Sequence, residues 1–346
     1  MTTRGRNFRP RPGFAGHMSR AFRIALLVSL LGNLAAPANG AVDESFSPDG
    51  VDLFFAAGGG RILSTFDDPA GRTRLQEGFG PGAKALGVRP VSTRVGIDIG
   101  TDAAGRAAAV YGRCPRGRRC DLYAFNFAER RERQLGVSRR ACSEVGPRID
   151  RGVVVFQRFL RRSAKRSLRC RRGLFEKRPG QRLRLLARHA PDDYDLEGGL
   201  LAFQRTLTPA TGDLDDEQNL DEIRVVPTAG GRSRLIARAE GVVRNDDGAF
   251  EGTFLSNLRL SGGFVHWIRS VEDSTTGDRI TTADVLRASV RGDGPSTTLD
   301  RDGRLYTGDR ANGGDQLFGL AVDGDRLLYE FPGGIGEVGT KPPPFR

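Results

Sequence analysis

Histidine is nearly absent: the 346-residue chain carries only His17, His189 and His266. His17 lies in or before the signal segment, His189 has no Ser or Cys partner nearby in sequence, and neither a Gly-x-Ser-x-Gly elbow nor a His-Glu-x-x-His helix occurs, which leaves little material for hydrolytic catalysis. His266 alternates within Phe264-Val265-His266-Trp267, and reads as a strand-face residue beside an apolar face rather than a general base. Gly78-Phe79-Gly80-Pro81-Gly82 has no strand leading into it and no Lys-Ser/Thr closing it, so a phosphate loop is excluded. Stretches with the apolar period of a helix are scarce. Glycine is plentiful instead (47 residues), and turn-forming residues punctuate short apolar runs, which favours β architecture.

No uncharged run reaches the ~20 apolar residues of a membrane span. The one near the N-terminus, Ile24–Ala36, follows Arg20 and Arg23 and precedes small residues at Ala36-Pro37-Ala38 and Ala38-Asn39-Gly40. That is the pattern of a secretory signal peptide, and a start at Met18 instead of Met1 gives a more compact one. Residues 1–41 are therefore expected to be an extension plus signal, and 42–346 the secreted domain with no transmembrane anchor. No Cys occurs before Cys114, so there is no lipid-attachment site.

The four cysteines of an exported chain point to disulfides, for which three pairings exist. Cys114 and Cys120 flank a short loop between strand-like segments, and a hairpin staple there leaves Cys142 with Cys170. Zinc is disfavoured because the spacing is not Cys-x2-Cys and no His is near.

Strand-like segments come in groups of three. Gly105–Arg113, Asp121–Phe127 and Arg131–Leu135 form one group, and Val153–Phe159, Ser167–Arg172 and Arg182–Leu186 another. The aromatic that closes the first segment of each group falls at Phe54, Tyr111, Phe156, Phe203, Trp267 and Tyr306, at intervals of 57, 45, 47, 64 and 39 residues. Periods of about 40–50 residues mark four-stranded propeller blades. The two longest intervals hold an acidic stretch, 208–221, and a Gly- and Asp-rich one, 239–253, which read as insertions. The expectation is an all-β, six-bladed propeller with antiparallel four-stranded blades. Five blades result if Arg326–Phe331 completes a blade begun by the N-terminal strands, a closure that removes an exposed edge.

Phe46-Ser47-Pro48-Asp49-Gly50-Val51 resembles the start of the WD40-like repeat of TolB-type propellers, where a Ser-Pro-Asp-Gly turn leads into a strand. Asp121-Leu122-Tyr123 and Asp221-Glu222-Ile223 are similar to the later strand of that repeat, and Leu299-Asp300-Arg301-Asp302-Gly303 loosely matches its opening turn. The resemblance implies a propeller, an exported location and a role as a platform for partner proteins. No partner-binding residue carries over from it.

Charge is uneven. Residues 111–190 hold 24 Lys and Arg against 6 Asp and Glu, whereas 191–346 are net acidic; Arg outnumbers Lys 50 to 4, as in chains of GC-rich origin. Arg158, Arg161, Arg162, Lys165, Arg166, Arg169, Arg171 and Arg172 form a basic run, a candidate surface for a protein or an anionic envelope polymer. The plainer reading is a solvated hairpin loop. Export and the lack of interleaved aromatics disfavour nucleic acid. Asp213, Asp215, Glu217 and Asp221 supply alternating oxygens that suit Ca2+, though Gln218 stands where an EF-hand needs Gly. Here the plainer reading is a solvated acidic loop. Asp192, Asp193, Asp195 and Glu197 form a second, weaker cluster. The sequence thus points to a secreted, non-enzymatic binding or scaffold module with no catalytic residue assigned. An exported hydrolase or lyase on polysaccharide or ester, with Ca2+ support, stands as the alternative. The two differ in whether carboxylates, or a His with a carboxylate, converge on the channel mouth.

Overall fold

In the computed structural model the described residues are 45–46, 55–78, 82–92, 96–114, 120–137, 142–160, 170–191, 193–207, 216–244, 250–273, 280–292, 294–301, 319–324, 326–331 and 334–339. All belong to one compact unit, Gly40–Arg346. Among them there is no α-helix; the regular structure is 24 strands, all paired antiparallel.

The first four-stranded sheet is β2 (Phe55–Gly58), β3 (Arg61–Asp67), β4 (Thr73–Glu77) and β5 (Lys84–Ala85). The second is β6 (Ile97–Thr101), β7 (Ala107–Arg113), β8 (Asp121–Asn126) and β9 (Arg131–Gln134). The third is β10 (Cys142–Asp150), β11 (Val153–Leu160), β12 (Gly173–Lys177) and β13 (Arg184–Ala187). An eight-stranded sheet follows in chain order: β14 (Asp193–Glu197), β15 (Leu200–Leu207), β16 (Asp216–Pro227), β17 (Arg234–Arg244), β18 (Phe250–Ser261), β19 (Phe264–Asp273), β20 (Ile280–Ser289) and β21 (Thr297–Arg301). The last sheet is β22 (Gly319–Asp323), β23 (Arg326–Phe331) and β24 (Gly334–Gly339), with the N-terminal β1 (Ser45–Phe46) paired to β24 at its edge. The first and last described strands therefore share one sheet.

The sheets stack face to face, so their middle strands are apolar on both sides: six of the seven residues of β7 are buried. One core of Ala56, Leu63, Leu75, Ile97, Ile99 and Tyr111 joins the first sheet to the second, and another of Val110, Leu122, Ile149, Val154 and Phe156 joins the second to the third. The strands that open each group, β2, β6, β10, β14, β18 and β22, touch in succession, and β22 touches β2.

Tyr111, Phe156, Phe203 and Trp267 do occupy equivalent places. Each lies two residues past the one that pairs with the opening strand in Ile99↔Ala109, Ile149↔Val154, Leu196↔Leu201 and Leu260↔Val265. They stand on second strands rather than first ones, because each group of three is preceded by an opening strand that the sequence reading passed over. Phe54 and Tyr306 lie outside the described residues. The third strand of the third sheet is Gly173–Lys177, not Ser167–Arg172, since the apolar Leu174 and Phe175 are what the core needs.

The two supposed insertions are also corrected. Residues 216–221 belong to β16, and 239–244 and 250–253 lengthen β17 and β18. These extensions pair through Gly241↔Gly252, Val242↔Glu251 and Val243↔Phe250, which merges two groups of four into the eight-stranded sheet. The crossing needs glycine: a Cβ on Gly252 would stand 2.2 Å from the Gly241 Cα. Both disulfides are as expected, Cys114–Cys120 stapling the β7–β8 hairpin and Cys142–Cys170 tying the start of β10 to the segment before β12.

Gly252→Val is expected to cost about 1–3 kcal/mol by overpacking, read as a lower urea midpoint. Phe156→Ala, which empties a fully buried position, is expected to cost about 3–5 kcal/mol. Wild-type-like midpoints for both would contradict the seam and the core described.

Candidate functional site

The opening strands alternate apolar and charged side chains. Along β6 the buried Ile97 and Ile99 bracket Asp98, and along β14 Tyr194 and Leu196 interleave with Asp193, Asp195 and Glu197. The apolar members pack on the preceding sheet, while the charged ones between them reach the next opening strand. One position, immediately before the residue that pairs across each hairpin, is filled in turn by Ala56, Asp98, Arg148, Asp195, Arg259 and Ala321. Round the circuit this alternates negative and positive over four strands and is neutral over the other two.

Each carboxylate of this inner set grips the next opening strand. Asp98 Oδ2 accepts the Ile149 N–H at 2.7 Å, Asp193 Oδ2 the Leu258 N–H at 2.8 Å and Asp195 Oδ2 the Leu260 N–H at 2.7 Å. Nearer the turns, Asp150 Oδ2 accepts from Gly198 N at 2.8 Å, Glu197 Oε1 from Gly262 N at 3.0 Å and Asp323 Oδ2 from Gly60 N at 2.7 Å. Arg148 donates through Nε to the Tyr194 carbonyl at 3.0 Å and lies 3.5 Å from both Asp193 and Asp195. Arg259 Nη1 is 3.8 Å from Asp193. Together these strands surround a cavity of about 310 Å3, whose lining includes Asp98, Asp150, Asp195, Glu197, Arg259 and Asp323.

Burial sets the electrostatics. It pushes the Asp98 carboxyl up to about 7, helped by Asp195 and opposed by Arg148, the Ile149 N–H and Arg259. Burial also raises Asp195, against both arginines. Burial lowers Arg259, and Arg148 lowers it further; Arg148 itself is raised because the surrounding aspartates outweigh its burial. A proton on Asp98 near neutral pH gives the centre one group able to donate or accept.

The convergence of carboxylates sought as the mark of an enzyme is thus present in number, but each of these carboxylates is engaged with backbone. His266 does not join them. It is buried on β19, held down to about 4 by burial and then by Arg287, and is absent from the cavity lining.

The residues singled out by sequence fare differently. Arg158 is not on the surface: it is 2% exposed, its Nε bonds Glu144 at 3.1 Å, its Nη2 bonds the Val137 carbonyl at 2.5 Å, and its guanidinium lies 4.6 Å from the Phe175 ring centre. Arg171 and Arg172 are exposed ahead of β12, while Arg161, Arg162, Lys165, Arg166 and Arg169 lie outside the described residues. Asp213 and Asp215 also lie outside them, and Glu217 falls within β16. Asp221 is buried in that strand and not in an acidic loop, accepting the Thr206 hydroxyl at 2.6 Å and the Leu255 N–H at 3.2 Å, so it ties β16 to β18. Among the described residues no group of three or more His, Cys, Asp or Glu is placed to hold a metal ion. Asp193, Asp195 and Glu197, the cluster judged weaker, are the ones that face the centre. Their period of two was the available signal.

No protein-family model matches the chain, and no curated protein matches it either. Solved structures do. TolB from Acinetobacter baumannii aligns with TM-score 0.44 and 12% identity, over 82% of this chain and 64% of its own. An acylaminoacyl peptidase from Pyrococcus horikoshii aligns with TM-score 0.43 and 6% identity, over 84% and 52%. An endo-arabinase from Bacteroides thetaiotaomicron gives TM-score 0.30 and 10% identity, over 85% and 95%. The chain spans less than two thirds of the length of the first two structures. The propeller-like, all-β architecture rests on the sheets themselves.

A carboxyl group raised from about 3.9 when unfolded to about 7 when folded makes the folded state hold its proton longer. Stability contributed by Asp98 is present below about pH 4 and is lost as pH rises towards 7. Asp98→Asn, which keeps an acceptor for the Ile149 N–H, is expected to flatten that part of the pH–stability curve and to stabilise the protein at pH 8. An unchanged slope in urea titrations between pH 4 and 7 would refute the assignment.

Proposed function

We propose that the chain is a six-bladed β-propeller exported as a binding or scaffold module of the cell envelope. The circuit of six opening strands supports the blade count: the eight-stranded sheet is two blades merged at β17 and β18, and β1 closes the last blade. Two disulfides fit an oxidising compartment. No helix among the described residues is long and apolar enough to cross a membrane.

The observation that carries the non-enzymatic reading is the engagement of the central carboxylates. Asp98, Asp150, Asp193, Asp195, Glu197 and Asp323 each accept a backbone N–H from the next group of strands. Groups used to fasten blades are poorly free to move protons for a substrate. The partner is a protein or an anionic envelope polymer, met through the basic run from Arg161 to Arg172, with Arg158 removed from that set by its burial.

A second reading, an exported hydrolase or lyase acting on polysaccharide or ester, is favoured by one feature. Asp98, with its carboxyl near neutrality, shares a cavity with Asp195 and Arg259.

The purified secreted domain is expected to be retained on heparin and on immobilised teichoic acid, and released by salt. The variant with Ser at Arg161, Arg162, Lys165 and Arg166 is expected to elute at lower salt. No turnover is expected on polysaccharide or ester substrates. Turnover that Asp98→Asn abolishes would establish the enzyme instead, and unchanged elution would remove the basic run as the contact surface.

A further inference from the structure

The internal repeat provides its own reference for each position. On the third and fourth strands of successive groups, one cross-strand pair recurs beside the core residue of the second strand: Glu77↔Lys84, Ala124↔Arg133, Glu176↔Arg184 and Val225↔Arg234. The fourth-strand member is a cation in these four groups, whereas in the fifth the equivalent pair is Arg287↔Thr297. The third-strand member is a carboxylate in the first and third sheets, and there it is used. Glu77 pairs with Arg61, and Glu176, 1% exposed, accepts from Arg184 Nε at 2.8 Å and Arg178 Nη2 at 3.1 Å. Where valine replaces the acid, Arg234 turns to the Val290 carbonyl at 2.7 Å.

The second sheet breaks the pattern. Ala124 leaves the acid's place empty, and neither Arg133 nor Arg131 has an ion-pair or hydrogen-bond partner among the described residues; both are exposed. The space is a cleft of about 530 Å3 between the second and third sheets, within the range of small-molecule sites. Its floor is apolar, with Ala108, Ala124, Ile149 and Val154 all buried. Its rim is cationic from both walls, because Lys177 and Arg178 face Arg131 and Arg133. The rim acids, Asp102 and Glu129, are both bound to Arg106, and Arg178 is held by Glu176.

We infer that this cleft binds a small amphipathic carboxylate, whose head group takes the place that Glu176 fills in the next sheet and whose apolar chain lies on the alanine-lined floor. Guanidinium groups recognise carboxylates through paired N–H donors, and in a partly desolvated cleft such bonds gain over their strength in water. Arg133 is the residue placed to hold the head group, and Arg131 stands beside it. The inference is independent of the envelope-binding reading, since it rests on the second and third sheets, and Arg171 and Arg172 are not among the cleft's lining residues.

Octanoate serves as the probe, followed by calorimetry and by its effect on Tm, with octanol and inorganic phosphate as controls. Binding of octanoate over both controls is expected. Arg131→Ser with Arg133→Ser is expected to weaken it about tenfold or more, as loss of a charged hydrogen bond does. Ala124→Glu supplies the missing carboxylate from within and is expected to abolish binding while the protein stays folded. Should that variant fail to fold, the double serine variant decides. Octanol binding as tightly as octanoate, or octanoate affinity indifferent to the arginine changes, would overturn the proposal; retained heparin binding in the same variants would show the other surface to be untouched.

Discussion

The architecture depends on how each sheet is fastened to the next at the centre, where there is too little room for a large apolar core. Opening strands converge there, and their backbones approach so closely that a Cβ on Gly100 would lie 2.1 Å from the Ile149 carbonyl oxygen. At such distances bulky side chains do not fit, and strands of neighbouring sheets do not share a ladder. A short acceptor reaching across to a backbone N–H satisfies a donor that would otherwise be buried without a partner. Asp98, Asp193 and Asp195 do this in the interior, and Asp150, Glu197 and Asp323 repeat it nearer the turns. Arg148 and Arg259 then offset the charge that the aspartates bring in. Burying one of these ions alone would be costly; as an alternating set each has a neighbour of opposite sign.

That arrangement also explains which parts of the fold were legible. Second strands such as Ala107–Arg113 and Val153–Leu160 are sandwiched between sheets, so they open on apolar runs that reach Tyr111 and Phe156 and stand out in the sequence. Four of the opening strands carry an ion among apolar neighbours, and Ile97-Asp98-Ile99 or Tyr194-Asp195-Leu196 reads at first sight as a polar turn. The rhythm of the repeat was therefore visible while its first element was not. The same masking hid the site. Asp193, Asp195 and Glu197 were read as a loose acidic cluster, and Asp213–Asp221 as the better one, because density of charge is easier to see than its period. Arg158 shows the limit of a charge run as a surface signal, since Glu144 on the paired strand and the face of Phe175 draw it inward.

Repetition within one chain adds a kind of information that a single-copy fold lacks. A cross-strand pair seen in four sheets defines what the position ordinarily holds, so a departure stands out against its own relatives. Ala124 opposite Arg133 is such a departure, as are Gly241 opposite Gly252 and the neutral pair Ala56 and Ala321 in an otherwise charged circuit. Each marks a place where local packing answers to something other than the repeat.

The merged sheet has a mechanical consequence. Five of its strands run to ten residues or more, and backbone hydrogen bonds continue from β14 to β21 without a break. Elsewhere, adjoining sheets are joined by side chains and by isolated backbone bonds, such as Gly152 N–H to the Thr101 carbonyl at 2.8 Å and Glu144 N–H to the Cys120 carbonyl at 3.2 Å, rather than by a ladder. A continuous ladder resists local opening more than isolated contacts do, which leaves the junctions between sheets as the places of lower local stability. The cleft between the second and third sheets is one of those junctions.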